Sequence, residues 1–299
     1  MIALTNRLVP ATLLLLLLGL SLGFSPALHA DFSNVLWKSG QSGRWNDPSN
    51  WEAPSPPRTG HSVSILGPQS VAVLQGSTNQ LKELYLSSGA TLNVLSGSLT
   101  TRRGGPIRIA DGAIDLSGGQ IVSGGPIEVD GRTSPASLTV RSTGSLQVSR
   151  ELVLSGDQAR LTLDGKRQKA FARRLKVTSG NPQFHIALND PLVFLPLRIS
   201  DGAHLEPETR LRLSVSFADF APRPNQYWTI LQSNRVLAVR FTDAATGQRL
   251  EHGSVFRVDD QVLSILYGRS LVAIKVLEER NGVIVGIPSY WPEGFIIPN

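Results

Sequence analysis

The chain has 299 residues, a formal charge of +6 and no cysteine, with 28 glycines against five tryptophans, four tyrosines and ten phenylalanines. The missing thiols exclude a disulfide framework and thiolate metal sites, so stability must come from burial, in a chain long enough for one elongated core or two smaller ones. Few aromatics and no amphipathic helical period argue against a helical domain, and the basic balance tilts the choice of partner toward acidic polymers such as anionic polysaccharide, lipopolysaccharide or nucleic acid.

Residues 1–30 read as a secretory signal peptide: Arg7 precedes an apolar core from Leu13 to Leu18, and Ser25-Pro26-Ala27-Leu28-His29-Ala30 supplies small residues for cleavage after Ala30 or Ala27. Gly19, Ser21, Gly23 and Pro26 interrupt the apolar run, so a membrane-spanning anchor is not expected, and removing Arg7 leaves a charge near +5. Residues 31–73 form an N-terminal cap rich in tryptophan. Trp37, Trp45 and Trp51 crowd into it, followed by Pro54, Pro56 and Pro57. An open coil end exposes an apolar cross-section and unpaired strand edges, which a bulky lid would cover. The other use for these indoles is a platform stacking on sugar rings.

Residues 74–178 carry the strongest pattern. Short alternating runs such as Leu84-x-Leu86 and Leu92-x-Val94 stop at Ser-Gly or Asp-Gly, as a coiled sheet with tight corners requires. Gly-Gly-Pro-Ile occurs at residues 104–107 and again at 124–127, twenty positions apart, about the length needed for three strands and their corners to return to the starting edge. These runs predict a β-solenoid. Thr133-Ser134-Pro135 reads as a corner insertion.

The opening Gly43-x-Trp45, Asn46-Asp47-Pro48-Ser49-Asn50-Trp51 and Pro-rich loop, followed by His61-Ser62-Val63-Ser64-Ile65 and Gly-ended strands, resembles secreted bacterial β-helix proteins with autotransporter-associated β-strand repeats, many of which end in a PEP-CTERM sorting tail. The resemblance covers roughly the mature N-terminal half. It implies a right-handed parallel β-helix, a secreted or cell-surface location in a bacterium, and usually no enzyme activity. Ile287-Pro288-Ser289-Tyr290-Trp291-Pro292 departs from it, being no membrane helix before a basic tail, so sorting by that route is not expected.

Lys166, Arg167, Lys169, Arg173 and Arg174 make the densest charge run, read as a protruding loop or solenoid corner that could bind an anion or simply be solvated. Residues 179–278 lengthen into strands punctuated by proline. They predict a C-terminal antiparallel region, either the last irregular coils or a small sandwich on their end, with turns at Asp259-Asp260 and Gly268. Residues 279–299 form an apolar, Pro-rich tail that would plug the last coil or serve in recognition.

No nucleophile elbow, zinc-protease helix, phosphate loop or dinucleotide fingerprint is present, and His61, His185, His204 and His252 are widely spaced, so no catalytic residue, metal site or cofactor is assigned. Asp111, Asp130 and Asp164 each precede glycine, as turn formers do. The expectation is a secreted structural or adhesive surface protein that binds anionic polysaccharide or another cell-envelope component through the basic run, with nucleic acid a less specific partner. The alternative is a carbohydrate-active enzyme, lyase or hydrolase, or a sugar-binding module.

Overall fold

A computed structural model describes residues 34–165, 167–190, 194–218 and 220–287; the segment read as a signal peptide, Lys166 and the end of the apolar tail lie outside them. The described chain is a parallel β-solenoid closed at its C-terminal end by antiparallel strands. Its one helical element is a 3-10 turn at Pro48–Asn50, and no described helix is long and apolar enough to cross a membrane.

Each coil contributes a strand to three parallel sheets. The first stacks Asn34–Leu36, Ser62–Leu66, residues 83–87, residues 107–110, Ile127–Asp130, residues 151–155, residues 174–179 and Ala203–Leu205. The second runs from Ser42–Arg44 through Val71–Leu74, residues 90–94, residues 112–116, Ala136–Arg141, Ala159–Asp164, Gln183–Leu188 and Leu211–Phe217 to Phe241–Asp243. The third begins at Thr78–Leu81 and passes through Ser98–Thr101, Gln120–Ser123, residues 145–148 and residues 169–172 to Leu197–Ile199. Parallel stacking thus starts before and continues beyond the glycine-punctuated stretch.

Period-two alternation sends every second side chain inward, and stacking aligns like with like. Leu84, Ile107, Ile127, Leu152 and Leu175 form one buried ladder in the first sheet, and Leu92, Ile114, Leu138, Leu161 and Phe184 another in the second. Ladders from three sides meet along the axis. Each fully buried Leu or Ile contributes about 1.5–3 kcal/mol, which lets a chain without disulfides hold this form.

Corners explain the glycines. Strand Glu83–Val94 turns from the first sheet to the second at Ser88 and Gly89, whose φ values are 59° and 80°. The twenty-residue repeat marks one coil, since Ile107 pairs with Ile127. At that corner a Cβ on Gly125 would lie 2.6 Å from the Gly105 carbonyl oxygen, and one on Gly105 would collide with that of Lys82. Glycine recurs there because stacked backbones leave no room.

The C-terminal closure starts in strand Tyr227–Ser233. Its end continues the third sheet, Leu231 pairing with Leu197 in parallel, while the same strand pairs antiparallel with Leu271–Val276. Gln261–Tyr267 follows on the far side, and Val255–Val258 beyond it. Both expected turns are present: Asp259 adopts φ 51°, and the Gly268 N–H donates to the Leu271 carbonyl at 2.8 Å. Within residues 179–278, expected to lengthen into strands, residues 194–199 and 236–241 are not strands throughout. Only Leu197–Ile199 pairs in the first, residues 191–193 lying outside the described set, and in the second pairing begins at Phe241.

Candidate functional site

The three cap tryptophans are buried, at 2 %, 0 % and 1 % exposure for Trp37, Trp45 and Trp51. Trp51 sits edge-on to Trp37 at 4.8 Å and to Trp45 at 5.0 Å. Each ring N–H has an acceptor: Trp37 donates to the Gln41 carbonyl at 3.0 Å, Trp45 to Asn79 Oδ1 at 3.1 Å and Trp51 to the Trp45 carbonyl at 2.7 Å. A sugar platform needs an open aromatic face, and these rings have none to offer.

The basic run is divided among three surfaces instead of forming one protruding loop. Arg167 lies at the corner between the second and third sheets, beside a recess of about 400 Å³ lined by Ser142, Thr143, Gly165 and Asn189. From Lys169 onward the chain is strand, Lys169–Ser179. Ala170 and Ala172 point into the core, so Lys169, Phe171 and Arg173 point outward. The chain then turns, and Arg174 faces the first sheet. Small inward residues made this strand hard to see, because charge dominated the run while alanine carried the alternation.

Partnering separates the cations further. Arg173 donates to Asp201 Oδ2 at 2.6 Å, and that hydrogen bond holds the Asp201 carboxyl below the usual carboxylate range. Arg174 pairs with Glu151 at 3.3 Å. Lys169 makes no ion pair among the described residues. Its neighbour Phe171 is 38 % exposed and stands in register between Gln147 on one coil and Arg198 on the next. Arg198 is exposed and likewise without an ion pair among the described residues. Lys166 lies outside them.

A second surface was not singled out by composition. Four aligned runs of the second sheet, residues 137–140, 160–163, 183–186 and 212–215, place apolar residues inward and polar ones outward. Outward, Ser137, Arg160, Gln183 and Arg212 form one row, and Thr139, Thr162, His185 and Ser214 the next. Between the corner at Pro135, Asp157 and Gln158 and the edge at Arg141 and Asp164, the first three members of each row floor an open trough of about 620 Å³.

Most charges in this trough are engaged. Arg141 bridges Asp115 at 2.9 Å and Asp164 at 2.7 Å. Arg212 donates to the carbonyls of Asn181 at 2.7 Å and Asp157 at 2.5 Å, pinning the wall to the floor. His185 Nδ1 lies 2.5 Å from Ser214 Oγ and Nε2 3.3 Å from Ser216 Oγ. Burial, and then the charge of Arg160, lowers its pKa against the opposing pull of Asp164, so the ring is neutral at pH 7 with one nitrogen donating and the other accepting. Arg160 itself is exposed and has no acidic partner among the described residues. The signal was the recurring x-Leu/Phe-polar-apolar run, visible once the first three coils are aligned 23 residues apart and the fourth 29 residues further on.

No group of three or more potential metal ligands occurs among the described residues. The chain matches no known protein family, and no curated protein or solved structure matches it.

Proposed function

We propose that this is a secreted structural or adhesive component of a bacterial cell surface, and that the outer face of its third sheet holds an anionic polysaccharide. The observation that carries the reading is Phe171, an exposed aromatic face flanked along its strand by Lys169 and across the coil by Arg198, two cations without ion-pair partners among the described residues. A ring stacks on the apolar face of a sugar while cations meet its carboxylate or sulfate, and a flat sheet accepts a polymer of any length. The export signal read in residues 1–30 supports the location.

Binding is favoured over turnover by the state of the outward carboxylates. Asp130 is held by Arg132, whose hydrogen bond lowers its pKa, and Glu83 and Glu128 both lie against Arg108. Glycoside hydrolysis needs one carboxyl kept protonated, the reverse of what Arg132 enforces on Asp130.

The test is retention on immobilised heparin, used as an acidic polysaccharide. The parent should elute by several hundred millimolar salt, because exposed charges are screened over about 10 Å at 0.1 M. Lys169→Ser with Phe171→Ser and Arg198→Ser should abolish retention without moving the melting temperature. A triple variant retained like the parent, a parent that is not retained, or depolymerisation of an acidic glycan by the parent would overturn the reading.

A further inference from the structure

The trough on the second sheet differs from the third-sheet face in how its charges are balanced. Two arginines line it, Arg141 and Arg160, and Arg212 stands on the next coil; Arg141 lies between two carboxylates and Arg212 is tied to two backbone carbonyls. Arg160 is left as the one guanidinium with its donors free among the described residues, in the centre of rows that otherwise present hydroxyls, an amide and a neutral imidazole. A planar fork of donors matches a carboxylate in two parallel hydrogen bonds. Around it, Ser137, Thr139 and Gln183 supply donors and acceptors at spacings fixed by the sheet, about 4.8 Å from coil to coil.

The same balance excludes a densely charged occupant. Asp157 and Asp164 border the trough and would repel a polymer with an anion on every unit, and the lining holds no Phe, Tyr or Trp on which a base could stack. From one free guanidinium among hydroxyl-binding groups, we infer that the trough is a second binding site, for a glycan segment whose carboxylates are spaced apart by neutral sugars. The uronate lies on Arg160, and adjoining sugars reach Thr139 along one row and Gln183 along the other. Its floor is paired strand backbone, so little ordering is required on binding.

This site stands apart from the proposed third-sheet surface, and each can fail alone. The probe is a hyaluronan tetrasaccharide, in which uronate alternates with a neutral N-acetylhexosamine, compared with chitotetraose, equal in length but without a carboxylate. Titration calorimetry should show the parent binding the hyaluronan fragment about tenfold or more tightly than chitotetraose, the range of one charge-assisted pair. Arg160→Gln should erase that preference while melting like the parent, since the side chain is exposed and has no acidic partner, and Arg160→Lys should restore part of it. The triple substitution on the third sheet should leave it unchanged. Equal affinity of the parent for both fragments, a preference that survives Arg160→Gln, or one lost with the third-sheet variant would overturn the assignment. Loss of heparin retention in the third-sheet variant with the tetrasaccharide preference intact would support both sites separately.

Discussion

The two ends of this solenoid are closed by different means. At the N-terminal end three indoles fill the cross-section edge to face, and each ring N–H is matched by an acceptor. At the C-terminal end the backbone does the work: strand Tyr227–Ser233 finishes the parallel third sheet and opens an antiparallel one, so the last coil is covered by further strands. There Trp228 is 3 % exposed, packed against Phe217 and Phe220, and its ring N–H has no partner among the described residues. A side-chain lid concentrates its energy in a few groups, whereas a backbone lid spreads it over a ladder.

Truncating the central indole should therefore have the largest effect. Trp51→Ala is expected to cost about 3–5 kcal/mol in a denaturant melt, with Trp37 and Trp45 fluorescence shifting as water reaches them. An unchanged melt would mean that the cap is not what closes this end.

A size-matched pair sharpens the contrast. Trp51→Phe removes the donor to the buried Trp45 carbonyl, whereas Trp228→Phe removes a donor without a partner among the described residues. The first should be the more destabilising by about 1–3 kcal/mol, the cost of a stranded buried polar group. Equal losses in paired melts would show that packing alone governs both ends.

The smallest effect lies between the ends, at His185. Its native pKa is lowered by burial and by Arg160, so the unfolded chain takes up the proton first as the pH falls. Stability from the neutral ring is complete above about pH 6.5 and is lost from there down to the lower native pKa. His185→Gln should flatten that part of the profile of melting temperature against pH; a profile of the same slope would mean that other groups set it.

The contrast also bears on what could be read in the sequence. Alternation and glycine corners are local, so Leu84, Leu86, Leu92 and Val94 are legible as inward residues, although a corner at Ser88 and Gly89 places the pairs on two sheets. The indoles at 37, 45 and 51 were legible as a lid because only an end needs such bulk. The trough was not, since Thr139, Thr162 and His185 meet only through register. Coil length is not constant, being 20 residues from Ile107 to Ile127, 25 from Ile127 to Leu152 and 29 from Gln183 to Arg212, and an error of one residue turns every side chain to the opposite face. The basic run misled for the converse reason: its neighbours in sequence, Arg173 and Arg174, face different sheets across a corner, while Phe171 stands in register with Arg198, one coil away.

The stacked glycine corner makes length an independent variable. Residues 107–126 begin where one coil begins and end with the same Gly-Gly-Pro that precedes them, so a second copy inserted after Pro126 would stack on the original and present the same edge to the coil of Ile127. Because each coil touches only the coils beside it, neither lid would register the addition. Tandem duplication of some sixty nucleotides is then enough to lengthen the rod by one step of about 4.8 Å, which gives gene rearrangement, and not only point mutation, a direct hold on how far this protein reaches.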